Sequence, residues 1–224
     1  QCRIVLSGRI TPEMKAAVKE TFAAVPSRSE SERFLFPAIH SSNEHYRFVE
    51  KAGALQAGIR VGRLVVGRDH PDHHILRVLN TVLGGYFGSN IREEKGYTYG
   101  IQSSVVTYPD VSYLVVQTQA ATSYVKPLID EIFNEFSRLR NELVEPDELR
   151  MVRNYMTGEM LRLFDSPFSV AEVFVTLLAN GLDFSYYNER FGVIRSFTAE
   201  QLQAAARCYL NKENFYVVVA GQEK

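Results

Sequence analysis

The chain has 224 residues, 46% of them hydrophobic and 23% charged, so it can bury a sizeable core as one large domain or two small ones. Lys plus Arg number 25 against 26 Asp plus Glu, and the net charge of −1 supplies no field to draw in nucleic acid or an anionic membrane surface. No apolar run approaches the roughly 20 residues a membrane-spanning helix needs, so neither nucleic acid nor a membrane is expected as a partner. A soluble protein of the bacterial cytoplasm or periplasm is expected.

The chain opens Gln1-Cys2-Arg3 and runs at once into Ile4-Val5-Leu6, which reads as a short strand and as the start of a piece cut from a longer protein. Thr11-Pro12-Glu13 combines an N-cap, a proline at the first helical position and an early acid, predicting a helix to about Ala24. Val25 to Ser42 is rich in Pro, Ser and Glu and reads as a connector. His45–Glu50 and Ala54–Val66 follow as strands, with Lys51-Ala52-Gly53 as the turn between them.

Pro71-Asp72 opens a second helix, with Ile75, Val78, Leu79 and Val82 at helical spacing and Gly84-Gly85 at its end. The period then changes to two: Tyr97–Thr107 and Val111–Gln119 flank Tyr108-Pro109-Asp110 as a hairpin. From Ser123 to Tyr209 the pattern is helical, broken at Val144-Glu145-Pro146, Asp165-Ser166-Pro167 and Asn180-Gly181, and Phe215–Val219 is a final strand. Strands on both sides of a helical block predict an α+β layered domain, read here as one domain over 1–224, with its terminal strands in one sheet.

The densest signal is Leu83 to Gly100, L-G-G-Y-F-G-S-N-I-R-E-E-K-G-Y-T-Y-G. This run resembles the signature of the C-terminal-type, zinc-free domain of the pitrilysin/insulinase/mitochondrial processing peptidase family of zinc metallopeptidases. There a Leu-Gly-Gly helix end leads into Arg-Glu-x-x-Gly-x-x-Tyr. The likeness extends to the Ala54–Gly58 strand entry, the Pro71-Asp72 helix start and Tyr155–Asp165. It implies a layered sandwich of a mixed, mainly antiparallel sheet covered by helices, the metallohydrolase-like fold of the processing-peptidase type.

The resemblance also assigns Arg92 and Tyr99 as the catalytic and substrate-binding pair, which holds the substrate backbone and stabilises the oxyanion. The chemistry suits them, since a guanidinium fork and a phenol hydroxyl are donors and developing oxyanion charge needs preorganised donors. The family's usual form has about one more helical turn between Ser89 and Asn90, roughly 3.6 residues. The bland alternative has Arg92 at a helix end paired with Glu93 or Glu94, and Tyr99 packed on a sheet.

No cofactor is expected in this chain. Zinc and the general base would reside in an N-terminal half or a separate catalytic subunit, and unfolded peptide would be the substrate. His70-Pro71-Asp72-His73-His74 lacks the Glu of the family's H-x-x-E-H motif, since His73 stands at that place, so the metal set is expected to be none. These histidines read as surface residues near a helix cap. Cys208 reads as a small buried hydrophobe, and Glu142, Glu145, Asp147 and Glu148 as a solvated helix start. A catalytically inactive scaffold, or a peptide-binding subunit, remains the alternative role.

Overall fold

Gly53 takes φ 76°, a left-handed conformation that glycine adopts without steric cost, and turns the chain from β1 (Tyr46–Glu50) into β2 (Gln56–Val65). These two strands do not pair. They join β3 (Ile101–Thr107), β4 (Ser112–Ala121) and β5 (Tyr216–Gly221) in a five-stranded sheet ordered β1-β5-β2-β4-β3. β1 runs parallel to β5 and every other pairing is antiparallel, so the sheet is mixed and mainly antiparallel. The chain is described here from a computed structural model covering residues 3–26, 42–108 and 111–222.

Among the described residues seven α-helices accompany the sheet: α1 (Pro12–Ala23), α2 (His73–Tyr86), α3 (Val125–Asn141), α4 (Pro146–Arg162), α5 (Pro167–Ala179), α6 (Ser185–Ser196) and α7 (Ala199–Tyr209). Period-two alternation sends Ala57, Ile59 and Val61 of β2, with Leu114 and Val116 of β4, to the covered face of the sheet. Helices α2 and α3 pack on the strands there and α7 packs on both helices. Leu79 and Val82 of α2, Ile132 and Phe136 of α3, and Leu202 and Ala206 of α7 are all buried. Each large aliphatic or aromatic side chain withdrawn from water in this way stabilises the fold by roughly 1.5–3 kcal/mol. At the seam of β5 and β2 the backbones come close: a Cβ on Gly221 would stand 2.6 Å from the Ala57 Cβ.

By contact the chain divides into two compact units. Residues 42–157 and 187–224 form the larger, which holds the whole sheet. The smaller comprises 1–41 and 158–186 and includes α1 and α5. Thr11 caps α1, accepting from Met14 N–H at 3.3 Å, and Ser166 caps α5 from Ser169 N–H at 3.1 Å, each followed by proline at the first helical position.

Several expectations are corrected. Arg3–Leu6 is not a strand: it pairs with none of the described strands, and Ser7 beside it donates to the Pro167 carbonyl. The last helical stretch is two helices, because Thr198 and Gln201 form a capping box that starts α7 afresh. Cys208 is exposed, since the buried stripe of α7 runs through Leu202, Ala205, Ala206 and Tyr209 and leaves residue 208 to one side. Most of the expected connector and the Pro109-Asp110 turn lie outside the described residues.

Candidate functional site

Helix α2 passes without a break into a π-helix, Phe87–Glu94, that contains Ser89 and Asn90 and so spans the point where the sequence departs from the pattern it resembles. Phe87 and Ile91 are buried and fix its inner side, while Arg92 is exposed. π-Helical segments are uncommon and concentrate at functional sites. Gly96 at φ 62° ends the segment, and Tyr97 N–H returns to the Ile91 carbonyl at 3.2 Å.

Three interactions, made by Asn90 and Lys95, clamp this segment to α3. The Asn90 amide donates to Glu131 at 3.0 Å and also to Glu135, and Lys95 pairs with Glu131 at 3.0 Å. Burial works to raise the Glu131 carboxyl, but hydrogen bonds from Asn90 and Lys95 outweigh it and hold the group below its ordinary value. Deeper in, the Tyr86 hydroxyl donates to Glu148 at 2.9 Å, and burial raises both groups above their ordinary values. Glu148 is therefore a partnered member of an acidic group that was expected to be merely solvated.

The segment after Gly96 is held by hydroxyls. Thr98 Oγ1 lies 2.6 Å from the Gln119 carbonyl and accepts from Gly100 N–H at 3.1 Å, while Thr118 donates to the Gly100 carbonyl at 2.9 Å. Tyr97 stacks on Tyr124 with ring centroids 5.2 Å apart. Between these fixed neighbours Tyr99 projects outward and is 94% exposed, so it does not pack on the sheet. Among the described residues Arg92 forms no ion pair with Glu93 or Glu94.

Arg92 and Tyr99 line one open groove of about 730 Å³. Gly84 and Gly88 form its helical flank, and Arg60, Gln102, Gln117 and Gln119 line it from the sheet. Sequence reasoning found Arg92 and Tyr99 but none of these sheet residues. Alternation shows that Gln117 and Gln119 share a face, but only strand pairing places Gln102 and Arg60 beside them.

The histidines are corrected as well. His70 is exposed, but His73 and His74 are 0% and 6% exposed, because they lie on the inner side of α2 and not on a surface cap. Burial, aided for both by the charge of Arg77, lowers each imidazole to about 4. Arg68 adds to the effect at His73 and Arg190 at His74. That cationic setting is ill suited to a zinc ion, and no group of three or more His, Cys, Asp or Glu among the described residues could hold a metal. Asp72 gives α2 no side-chain cap and instead accepts from the Tyr209 hydroxyl at 2.7 Å.

Residues 1–156 match the family model described as the peptidase M16 inactive domain, and the chain belongs to that family. A relative described as an uncharacterized zinc protease, YmxG of Bacillus subtilis, is 24% identical over 170 residues, which are 73% of this chain and 41% of YmxG. The peptidase M16 inactive domain from Pseudomonas fluorescens superposes with a TM-score of 0.79 at 21% identity, covering 96% of this chain and 52% of that one. A protease from Helicobacter pylori gives 0.81 at 16% identity, with 96% and 54% covered. These likenesses establish the α+β sandwich as the fold of M16 inactive domains. The chain spans about half the length of these three relatives.

Proposed function

We propose that this chain is the substrate-gripping, zinc-free half of a zinc peptidase, with residues 1–224 acting as one domain that completes a proteolytic chamber. The observation that carries the reading is the groove shared by Arg92 and Tyr99. It lies at the start of β3, an edge strand that pairs only with β4 among the described strands. An extended peptide would add along β3 by main-chain hydrogen bonds, a mode that tolerates many sequences. Arg92 and Tyr99 would then direct their donors at the scissile carbonyl oxygen as negative charge develops there. Metal chemistry and the general base belong to the zinc-bearing half, which this chain meets as an N-terminal domain or a separate subunit.

Hydrolysis of a quenched fluorescent peptide tests the reading. Zinc-dependent cleavage should be absent with this chain alone and emerge on mixing it with the zinc-motif half from the same organism. Cleavage by this chain alone would refute the division of labour, and none from the mixture would favour a scaffold.

A further inference from the structure

The groove contains a second arginine that the proposed function leaves unused. Arg60 on β2 stands opposite Gln117 on β4, which stands opposite Gln102 on β3. Directly paired residues share a face, so the three side chains form one polar row across the open side of the sheet. The Gln117 amide donates to Gln102 at 3.3 Å, which ties the row together at its β3 end.

The charge of this groove departs from that of the chain. Across the sequence 25 basic residues balance 26 acidic ones, yet among the described residues the groove is lined by two arginines and four glutamines with no aspartate or glutamate. Neither Arg60 nor Arg92 takes part in an ion pair among the described residues. Arg60 is exposed, and its guanidinium donates through Nη1 to the Ile59 carbonyl at 3.0 Å, which leaves further N–H groups of the fork for a ligand. The glutamine amides both donate and accept, so they suit a peptide backbone without selecting charge. An arginine fork, by contrast, matches a carboxylate with two parallel charge-assisted hydrogen bonds.

We infer that the groove selects peptides that carry a carboxylate, with Arg60 as the specificity residue that holds it. The inference rests on the groove being the peptide site proposed above. The carboxylate is either an Asp or Glu side chain within the extended segment or the peptide's own C-terminus. Arg92 stays with the scissile carbonyl.

Fluorescence anisotropy with the 224-residue chain decides the matter, using four labelled peptides of one sequence: an internal Glu or Gln, each with a free or an amidated C-terminus. A carboxylate should tighten binding roughly tenfold over the neutral peptide, and raised salt should shrink the difference. Preference for Glu whatever the terminus assigns the side chain, and preference for the free terminus assigns the chain end. Either preference should vanish in Arg60→Gln, whose exposed position leaves the thermal unfolding midpoint unchanged. Equal binding of all four peptides overturns the inference while leaving the groove a peptide site. A preference that survives Arg60→Gln overturns the role of Arg60, and no binding of any peptide removes the underlying reading and this inference with it.

Discussion

Asn90 of the π-helix donates to Glu131 of α3 at 3.0 Å, and that bond joins the segment carrying Arg92 to a helix of 17 residues. The same amide donates to Glu135, which is only 3% exposed. Asn90→Ala should cost about 1–3 kcal/mol in chemical denaturation, because it leaves a buried carboxylate short of a donor. In the complete enzyme it should also lower turnover by loosening Arg92. Wild-type stability in this variant would show that the clamp is incidental.

Arg92→Ala and Tyr99→Phe should behave differently from Asn90→Ala. Both side chains are exposed, so the unfolding midpoint should not move. If the pair acts as proposed above, each should reduce kcat of the complete enzyme by roughly 10²–10³, the usual loss when an oxyanion donor is removed. Normal turnover in both single variants would remove the pair from the mechanism.

Acid should destabilise the fold through His73 and His74. Each is lowered from 6.5 to about 4, so between those pH values the unfolded chain binds more protons than the folded one. Their stabilising contribution is complete above pH 6.5 and is lost as pH falls toward 4. Urea midpoints from pH 7 to 4.5 should decline, and His73→Asn or His74→Asn should flatten that decline. A profile equally steep in both variants would point to carboxylates instead.

Gly221→Ala should destabilise by about 1–3 kcal/mol, since an added Cβ cannot fit 2.6 Å from Ala57 Cβ without parting two paired strands. Gly88→Ala should do the opposite. No atom lies within 4 Å of a Cβ built there, and alanine in place of a helical glycine adds roughly 0.5–1 kcal/mol. Thermal melts of the two variants should shift in opposite directions.

Much of this architecture was legible because its signals are local. The cap at Thr11, the break at Asp165-Ser166-Pro167, the helical spacing of Val78, Leu79 and Val82, and the alternation of β4 each follow from residues within a few positions of one another. The capping box at Thr198 is equally local, formed by Thr198 and Gln201 alone. What could not be read was tertiary. Nothing within His70–His74 distinguishes a ring facing solvent from one turned toward the core, and nothing near Arg60 shows that Gln117 stands opposite. Arg92 and Tyr99 were legible only through resemblance, since their places in one groove depend on the π-helix and on the hydroxyl bonds around Thr98.

The position of β5 imposes an order on biosynthesis. It fills the place between β1 and β2, and β1 has no other neighbour among the described strands. Until residues 216–221 leave the ribosome, β1 stays unpaired and β2 presents an open edge to the nascent-chain environment. Pairing Tyr46 with Val217 closes a long loop, a slow step that leaves unpaired strand edges and apolar side chains available to chaperones. A product truncated before β5 would lose two strands rather than one, and cellular quality control would meet it as an aggregation-prone species.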